Sequence, residues 1–221
     1  MATSENGWNL VPAGSSSLQS IPGLPDNPIV LGGAVATVLA YVARQFNARV
    51  ELLTSTSSHR PGALIEGTST YSNHASATAI DLNGGRHPYY VPVAETFTTA
   101  QVATIRQILS ECAGVIRWGG DFPASRVDGM HFEIYASAEL VALAAARLSG
   151  TLPPVDQEDD MLALARLSNS PAVYVGNGMT RRHVATSAEL ADIQSMIRLG
   201  VLKGDPEVHV VASIAWLGQE V

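Results

Sequence analysis

Residues 72–85, SNHASATAIDLNGG, set one histidine and one aspartate, His74 and Asp81, into a run of small residues. Side chains of a strand alternate between its faces, so only even offsets share a face. Seven residues apart, His74 and Asp81 cannot lie on one face of a straight strand. A turn through Ala75, Ser76 and Ala77, followed by a strand over TAIDL, brings both side chains to one point. Small residues there let the backbone fold tightly. The plain reading is a polar loop between two strands. The sharper one is two ligands of a metal ion.

A second stretch, DGMHFEI at 128–134, bears on the choice. It alternates like a strand and supplies His131, a third nitrogen or oxygen donor. Catalytic zinc keeps three such protein ligands and leaves its fourth position to water. Asp128, three residues before His131, is placed to act as general base and then general acid. Glu133 shares a strand face with His131. It is either a hydrogen-bond partner for that ligand or the base in place of Asp128. Arg60, in SSHRPG, is placed to steady an oxyanion or to hold a substrate carboxylate.

Either motif alone reads equally as a solvated loop, because six histidines and twenty acidic residues make some pairs by chance. Together, in this order, they are more specific. His59, His87, His183 and His209 lack such partners and read as surface or core residues. Asp121 reads as closing a turn, and Ser72 as hydrogen-bonding its own loop. No base and orienter accompany Ser72 as a nucleophile's triad requires.

Outward from these motifs, the pattern predicts an α+β fold: a small antiparallel sheet with flanking helices. Residues 1–30, rich in Ser, Pro, Gly and Asn, read as an arm. Apolar residues at helical spacing (Val35, Val38, Leu39, Val42, Phe46) predict a helix from about Gly33 to Asn47. RVELL, 49–53, reads as a strand and 54–70 as a loop. TAQVATIRQILSECAG reads as a helix capped by Thr98 or Thr99, VIRWGG as a strand into a glycine turn, and SAELVALAAARL as a helix capped by Ser137. The first domain thus spans 31–148. Residues 149–160, with Pro-Pro and an acidic cluster, read as a linker. Residues 161–221 read as a small domain: three short strands with turns at SNSP and GNGM, then a helix capped by Ser187 and closed by Gly200.

Composition narrows the function classes. The chain has 221 residues, 46% hydrophobic and 15% charged, which is globular and not disordered. The net charge is −7, and Lys203 is the only lysine, so nucleic acid is not an expected partner. A lone cysteine, Cys112, excludes an intrachain disulfide framework and reads as a small buried hydrophobe. MATSENGWNL lacks the regions of a signal peptide. IVLGGAVATVLAYVA is too short and too rich in Gly and Ala to predict a membrane span. A chain folded in a cytoplasm and released by other means is the expectation.

SNHASATAID resembles the S-x-H-x-x-G-x-A-x-D motif of the M15 peptidases, the zinc D-alanyl-D-alanine carboxypeptidases and L-alanyl-D-glutamate endopeptidases. DGMHFE resembles their second motif, and IRWGGDF a segment of the phage members. The resemblance covers roughly residues 6–148 and points to the peptidase domains of endolysins from phages of actinobacteria. It implies the α+β fold shared with the Hedgehog signalling domain, and one zinc ion on His74, Asp81 and His131. It implies Asp128 as the catalytic acid and base, and Arg60 as the substrate or oxyanion arginine. Ser72, Glu133 and Trp118 are the candidates for substrate binding or for support of the ligands. One position departs from the motif: its glycine is Ala77 here. The expectation is a tolerated change, with strain if the backbone needs a positive φ there.

The leading expectation is an endolysin that hydrolyses a stem-peptide bond of bacterial peptidoglycan, most simply L-Ala–D-Glu, and that depends on a holin for release. A D,D-carboxypeptidase or a virion-associated lysin is the alternative within the class. A noncatalytic zinc module that binds wall or a partner protein is the alternative outside it. By analogy with lysins, 161–221 is a wall-binding candidate; Arg181, Arg182 and His183 read equally as residues that meet anionic wall polymer and as a solvated strand face.

Overall fold

The computed structural model describes residues 2–151, 161–167, 172–176, 180–184, 186–198, 203–211 and 219–220. The chain divides into two compact units, Met1–Gly150 and Thr151–Val221. In the first, a short antiparallel pair, β1 (Leu18–Ser20) and β2 (Ile29–Leu31), leads into helix α1 (Ala34–Arg49). Then come β3 (Thr56–Ser57), β4 (Ala79–Leu82), the one-turn α2 (Val93–Thr96) and α3 (Thr99–Glu111). β5 (Ile116–Trp118), a 3-10 turn, β6 (His131–Ile134) and α4 (Ala138–Leu148) complete the unit. The sheet is antiparallel in the order β3-β4-β6-β5, an α+β arrangement.

Alternation makes this sheet two-faced. Ile80 and Leu82, Phe132 and Ile134, Ile116 and Trp118 point to one side and are buried. There Phe132 meets Phe46 of α1 edge-on, with ring centres 5.9 Å apart, and stacks on Trp118 at 6.2 Å. α1 in turn packs against α3 and α4. Truncating Phe132 to Ala in such a core costs about 3–5 kcal/mol. The opposite side carries Asp81, His131, Glu133 and Arg117. The register sets Asp81 opposite His131 and Glu133 opposite Arg117. Polar groups thereby collect on one face because apolar groups fill the other.

The helices follow their sequence signals. Thr98 caps α3 in a reciprocal box with Gln101, and Ser137 caps α4. Cys112 is fully buried, and burial pushes its thiol up to about 12. The strand expected over 49–53 does not form. α1 runs on to Arg49, whose guanidinium pairs with Glu111 at 2.8 Å. Beyond it the Asn47 side chain accepts the Leu53 N–H, and Asn83 accepts the Thr54 N–H, each at 2.8 Å. Side chains thus take donors that a partner strand would need. β3 forms instead at Thr56–Ser57, inside the expected loop.

The N-terminal arm is tied down. Ser4 Oγ donates to Ser76 Oγ at 2.7 Å, and the Asn6 amide donates to Thr78 Oγ1 and to the Ile134 carbonyl at 2.9 and 2.8 Å. Ala75, Ser76, Ala77, Thr78 and Ala79 are all fully buried. Their small size is what lets arm and turn pack together.

In the second unit, β7 (Met161–Leu167), β8 (Val173–Gly176), β9 (Thr180–Val184), β10 (Lys203–Val211) and β11 (Gln219–Glu220) form a sheet ordered β10-β7-β8-β9-β11. Helix α5 (Ser187–Arg198) buries Ile193 and Ile197 with Leu164, Val175 and Val184. Its cap is Thr186, which accepts the Glu189 N–H at 3.0 Å, and not Ser187, already the first helical residue. β10 was not foreseen, because Gly-Asp-Pro reads as a turn. The pairing of β10 with β7 shifts between Asp205 and Val208, so Pro206 sits in an irregularity where no ladder donor is needed. Residues 152–160 of the expected linker, the turns at 168–171 and 177–179, and the expected stop at Gly200 lie outside the described residues.

Ala77 has φ +57°, the left-handed region. That conformation costs a side-chain-bearing residue about 1–2 kcal/mol, while the buried methyl returns about 0.8 kcal/mol. Ala77→Gly should therefore leave stability unchanged or raise it by up to ~1 kcal/mol. Ala77→Val should lower it by several times that, because β-branching is poorly tolerated at positive φ. Urea unfolding of both variants checks this; a Val variant as stable as the parent would contradict it.

Candidate metal centre

Asp81 and His131 face each other across β4 and β6, and the turn before β4 delivers His74 between them. Ala77 N–H closes on the His74 carbonyl and Thr78 N–H on the Asn73 carbonyl, folding the chain back on itself. His74 Nε2, Asp81 Oδ1 and His131 Nδ1 stand 3.0–3.1 Å apart, and all three residues are buried.

The surroundings decide where the protons are. His74 Nδ1 lies 2.6 Å from the Ser58 carbonyl, which only accepts, so Nδ1 carries hydrogen and Nε2 a lone pair. His131 Nε2 donates to Glu133 Oε2 at 2.8 Å, so its Nδ1 is the lone-pair nitrogen. In these tautomers three acceptor atoms point at one another, so either a metal ion or a proton on His131 Nδ1 must lie between them. A tetrahedral ion with bonds of about 2.0–2.2 Å would space its ligands by roughly 3.3–3.6 Å, a few tenths of an ångström wider than the spacing seen. The donor set of two imidazoles and a carboxylate fits zinc or a similar divalent ion.

Partners behind the donors hold them in place. Arg60 Nη1 meets Asp81 Oδ2 at 3.2 Å. The Glu133 carboxylate accepts from Asn73 Nδ2 and Arg117 Nε, each at 2.6 Å. Arg117 also reaches Glu5 of the arm at 2.6 Å and lies over the Tyr135 ring at 4.0 Å. Burial disfavours charge on Asp81, yet the two histidines hold its carboxyl well below the usual range. Burial likewise opposes a charged Glu133, but His131, Arg117 and Asn73 bring it down to about 2. Burial lowers His74. It opposes a charged His131 too, but Asp81 and Glu133 outweigh that and raise it to about 10. Before metal binds, the proton in the cluster belongs to His131.

The donors open onto a cleft whose wall includes Arg60, Ser72, Asp128 and Glu133. Ser72 Oγ accepts the His74 N–H at 3.3 Å, the loop role expected of it. Asp128 Oδ1 is buried with no hydrogen-bond partner among the described residues, and burial pushes this carboxyl up to about 6. Arg60 turns Nη1 to Asp81 and leaves half of its side chain exposed. Trp118 is not on the cleft wall: it is buried in the core, and its indole N–H donates to the Gly129 carbonyl at 2.9 Å. It steadies the turn between Asp128 and His131 and cannot touch substrate. His59 and His87 are off the wall as well, bonded to the Val11 carbonyl and to Glu51.

Gly119 went unnoticed in the sequence. A Cβ there would lie 2.4 Å from the Asp128 carbonyl oxygen and 3.1 Å from His131 Cβ. Its missing side chain lets the Asp128 turn pack beside His131. The signal was the first glycine of WGGD, legible only as a turn. Asp121 of that segment pairs with Arg106.

With this geometry in hand, the comparisons with known proteins bear on its chemistry. Residues 66–134 match the family described as D-alanyl-D-alanine carboxypeptidase, which supports the resemblance to the M15 peptidases. The match spans His74, Asp81, Asp128 and His131. It supports a metallopeptidase of the carboxypeptidase type acting on peptidoglycan. No curated protein and no solved structure matches the chain. Among the described residues no helix is long and apolar enough to cross a membrane.

Metal uptake at neutral pH must displace the proton from His131. Apparent affinity should rise with pH up to about 10, approaching tenfold per unit, and about one proton should be released per ion. Calorimetry in buffers of different ionisation heat measures both; a pH-independent affinity would contradict the assignment. Without metal the linkage runs the other way. His131, raised above its unfolded value of about 6.5, stabilises fully below that value and loses its contribution as pH climbs through about 10.

Proposed function

We propose that the chain is a zinc peptidase that hydrolyses an amide bond in the stem peptide of bacterial peptidoglycan, and that it serves a phage as an endolysin. The observation that carries this reading is the convergence of His74 Nε2, Asp81 Oδ1 and His131 Nδ1 in a cleft that also holds Asp128, whose Oδ1 is buried with no hydrogen-bond partner among the described residues. Zinc held by those three atoms would supply Lewis-acid chemistry, polarising a carbonyl and acidifying water. Asp128 takes the proton from the attacking water and gives it to the departing amine. Its burial suits both halves of that task, since a carboxyl pushed up to about 6 binds and releases a proton near neutrality. Glu133 holds His131 in the ligating tautomer, and Arg60 holds Asp81.

The bond cut is, on the resemblance of the whole pattern, L-Ala–D-Glu. The matched family's description favours a second reading, a D,D-carboxypeptidase. A virion-associated lysin would use the same chemistry at infection. A noncatalytic zinc module has less in its favour, because it has no use for a carboxylate with one buried oxygen left unbonded beside the ligands. Release through a holin belongs to the endolysin reading.

Asp128→Asn should keep the metal and lose roughly 10²- to 10⁴-fold in hydrolysis of purified wall. Retained lysis would return the protein to the binding-module reading. Product analysis separates the bonds: a new N-terminal D-Glu marks the endopeptidase, free D-Ala the carboxypeptidase.

The second unit is assigned to wall binding, with Arg181, Arg182 and His183 in β9 as the residues meeting anionic polymer. Removing residues 156–221 should abolish pull-down by purified wall; undiminished pull-down would refute that role.

A further inference from the structure

Two arginines stand on the cleft wall, and they are not equivalent. Arg60 is committed to the second oxygen of Asp81. Arg126, two residues before Asp128, has no carboxylate partner among the described residues. Its Nε is buried and makes no hydrogen bond. Its guanidinium lies 5.5 Å from the centre of the Phe122 ring, which supports it from the side. A buried guanidinium donor left unpaired is costly. It persists where a ligand completes it, and the planar fork of arginine matches a carboxylate with two parallel bonds.

We infer that Arg126 is the substrate-carboxylate receptor of this cleft, a specificity-determining residue for a peptide bearing a free carboxylate next to the bond that is cut. The inference rests on the peptidase reading for its substrate class, and on the cleft geometry alone for its ligand chemistry. It moves the role of carboxylate recognition from Arg60 to Arg126. Two sources present that chemistry: the C-terminal carboxylate of a stem peptide, and the α-carboxylate of a γ-linked D-glutamate inside it.

Synthetic stem peptides that differ only in acid or amide at each position separate these sources. With zinc-loaded full-length protein, kcat/KM and calorimetric affinity are measured for each pair, in the parent, Arg126→Gln and Arg126→Lys. The parent should prefer the acid of one pair by roughly 10- to 100-fold. Arg126→Gln should erase that preference through KM, with metal content and melting temperature unchanged, and Arg126→Lys should restore part of it. The position whose amidation matters names the source. Binding that discriminates without any cleavage would overturn the peptidase reading and leave the receptor standing. An Arg126→Gln protein that still prefers the acid, or that loses acid and amide peptides equally, would overturn the receptor.

Discussion

Asp81 sits directly across from His131 in the β4–β6 pairing, and the candidate site depends on that register. The register is held from behind. Ile80 and Phe132 occupy the alternate positions and are locked in the core by Phe46 and Trp118. A slip of β4 by one residue would turn Asp81 into the core, away from His131, and expose Ile80 and Leu82 to the cleft. The hydrophobic face therefore does more than stabilise the unit. It fixes the distance between two donor atoms before any ion arrives, which is the pre-organisation a metal site needs.

Collecting charge on the other face has a cost, since buried ionised groups lose their hydration. The chain offsets it with an unbroken series of partners: His131 to Glu133, Glu133 to Arg117 and Asn73, Arg117 to Glu5. The last member comes from the N-terminal arm. Ser4 and Asn6 fasten the same arm to the turn that carries His74. The arm thus belongs to the scaffold of the site, although it supplies none of the three donors. Glycine at 119 plays the complementary part on the far side, where any side chain would press on Asp128.

Much of this was legible in the sequence because short-range geometry made it so. The seven-residue offset from His74 to Asp81 demanded a turn, and the turn is there, with Ala77 in the strained conformation that its motif glycine would have adopted freely. The alternation of HFEI placed Glu133 beside His131. What stayed hidden depends on contacts between distant residues. Nothing local to Arg60 reveals that Asp81 will claim it, and nothing local to Arg126 that no carboxylate will. Trp118 carried an expectation of contact with ligand or substrate from its motif, but its strand face points it into the core. The strand read at 49–53 failed because the side-chain oxygens of Asn47 and Asn83, the latter 29 residues from the Thr54 N–H that it accepts, take the backbone donors. β10 was hidden by a proline whose tolerance depends on an irregular pairing with β7.

The central claim is that His74, Asp81 and His131 hold one divalent ion through two imidazole nitrogens and one carboxylate oxygen. X-ray absorption at the zinc edge of the purified, metal-loaded protein tests it most directly. One ion per chain is expected, with two imidazole ligands, no sulfur and metal–ligand distances of about 2.0–2.2 Å, and with occupancy lost in Asp81→Ala. A spectrum with a sulfur ligand, or full occupancy in that variant, would contradict it.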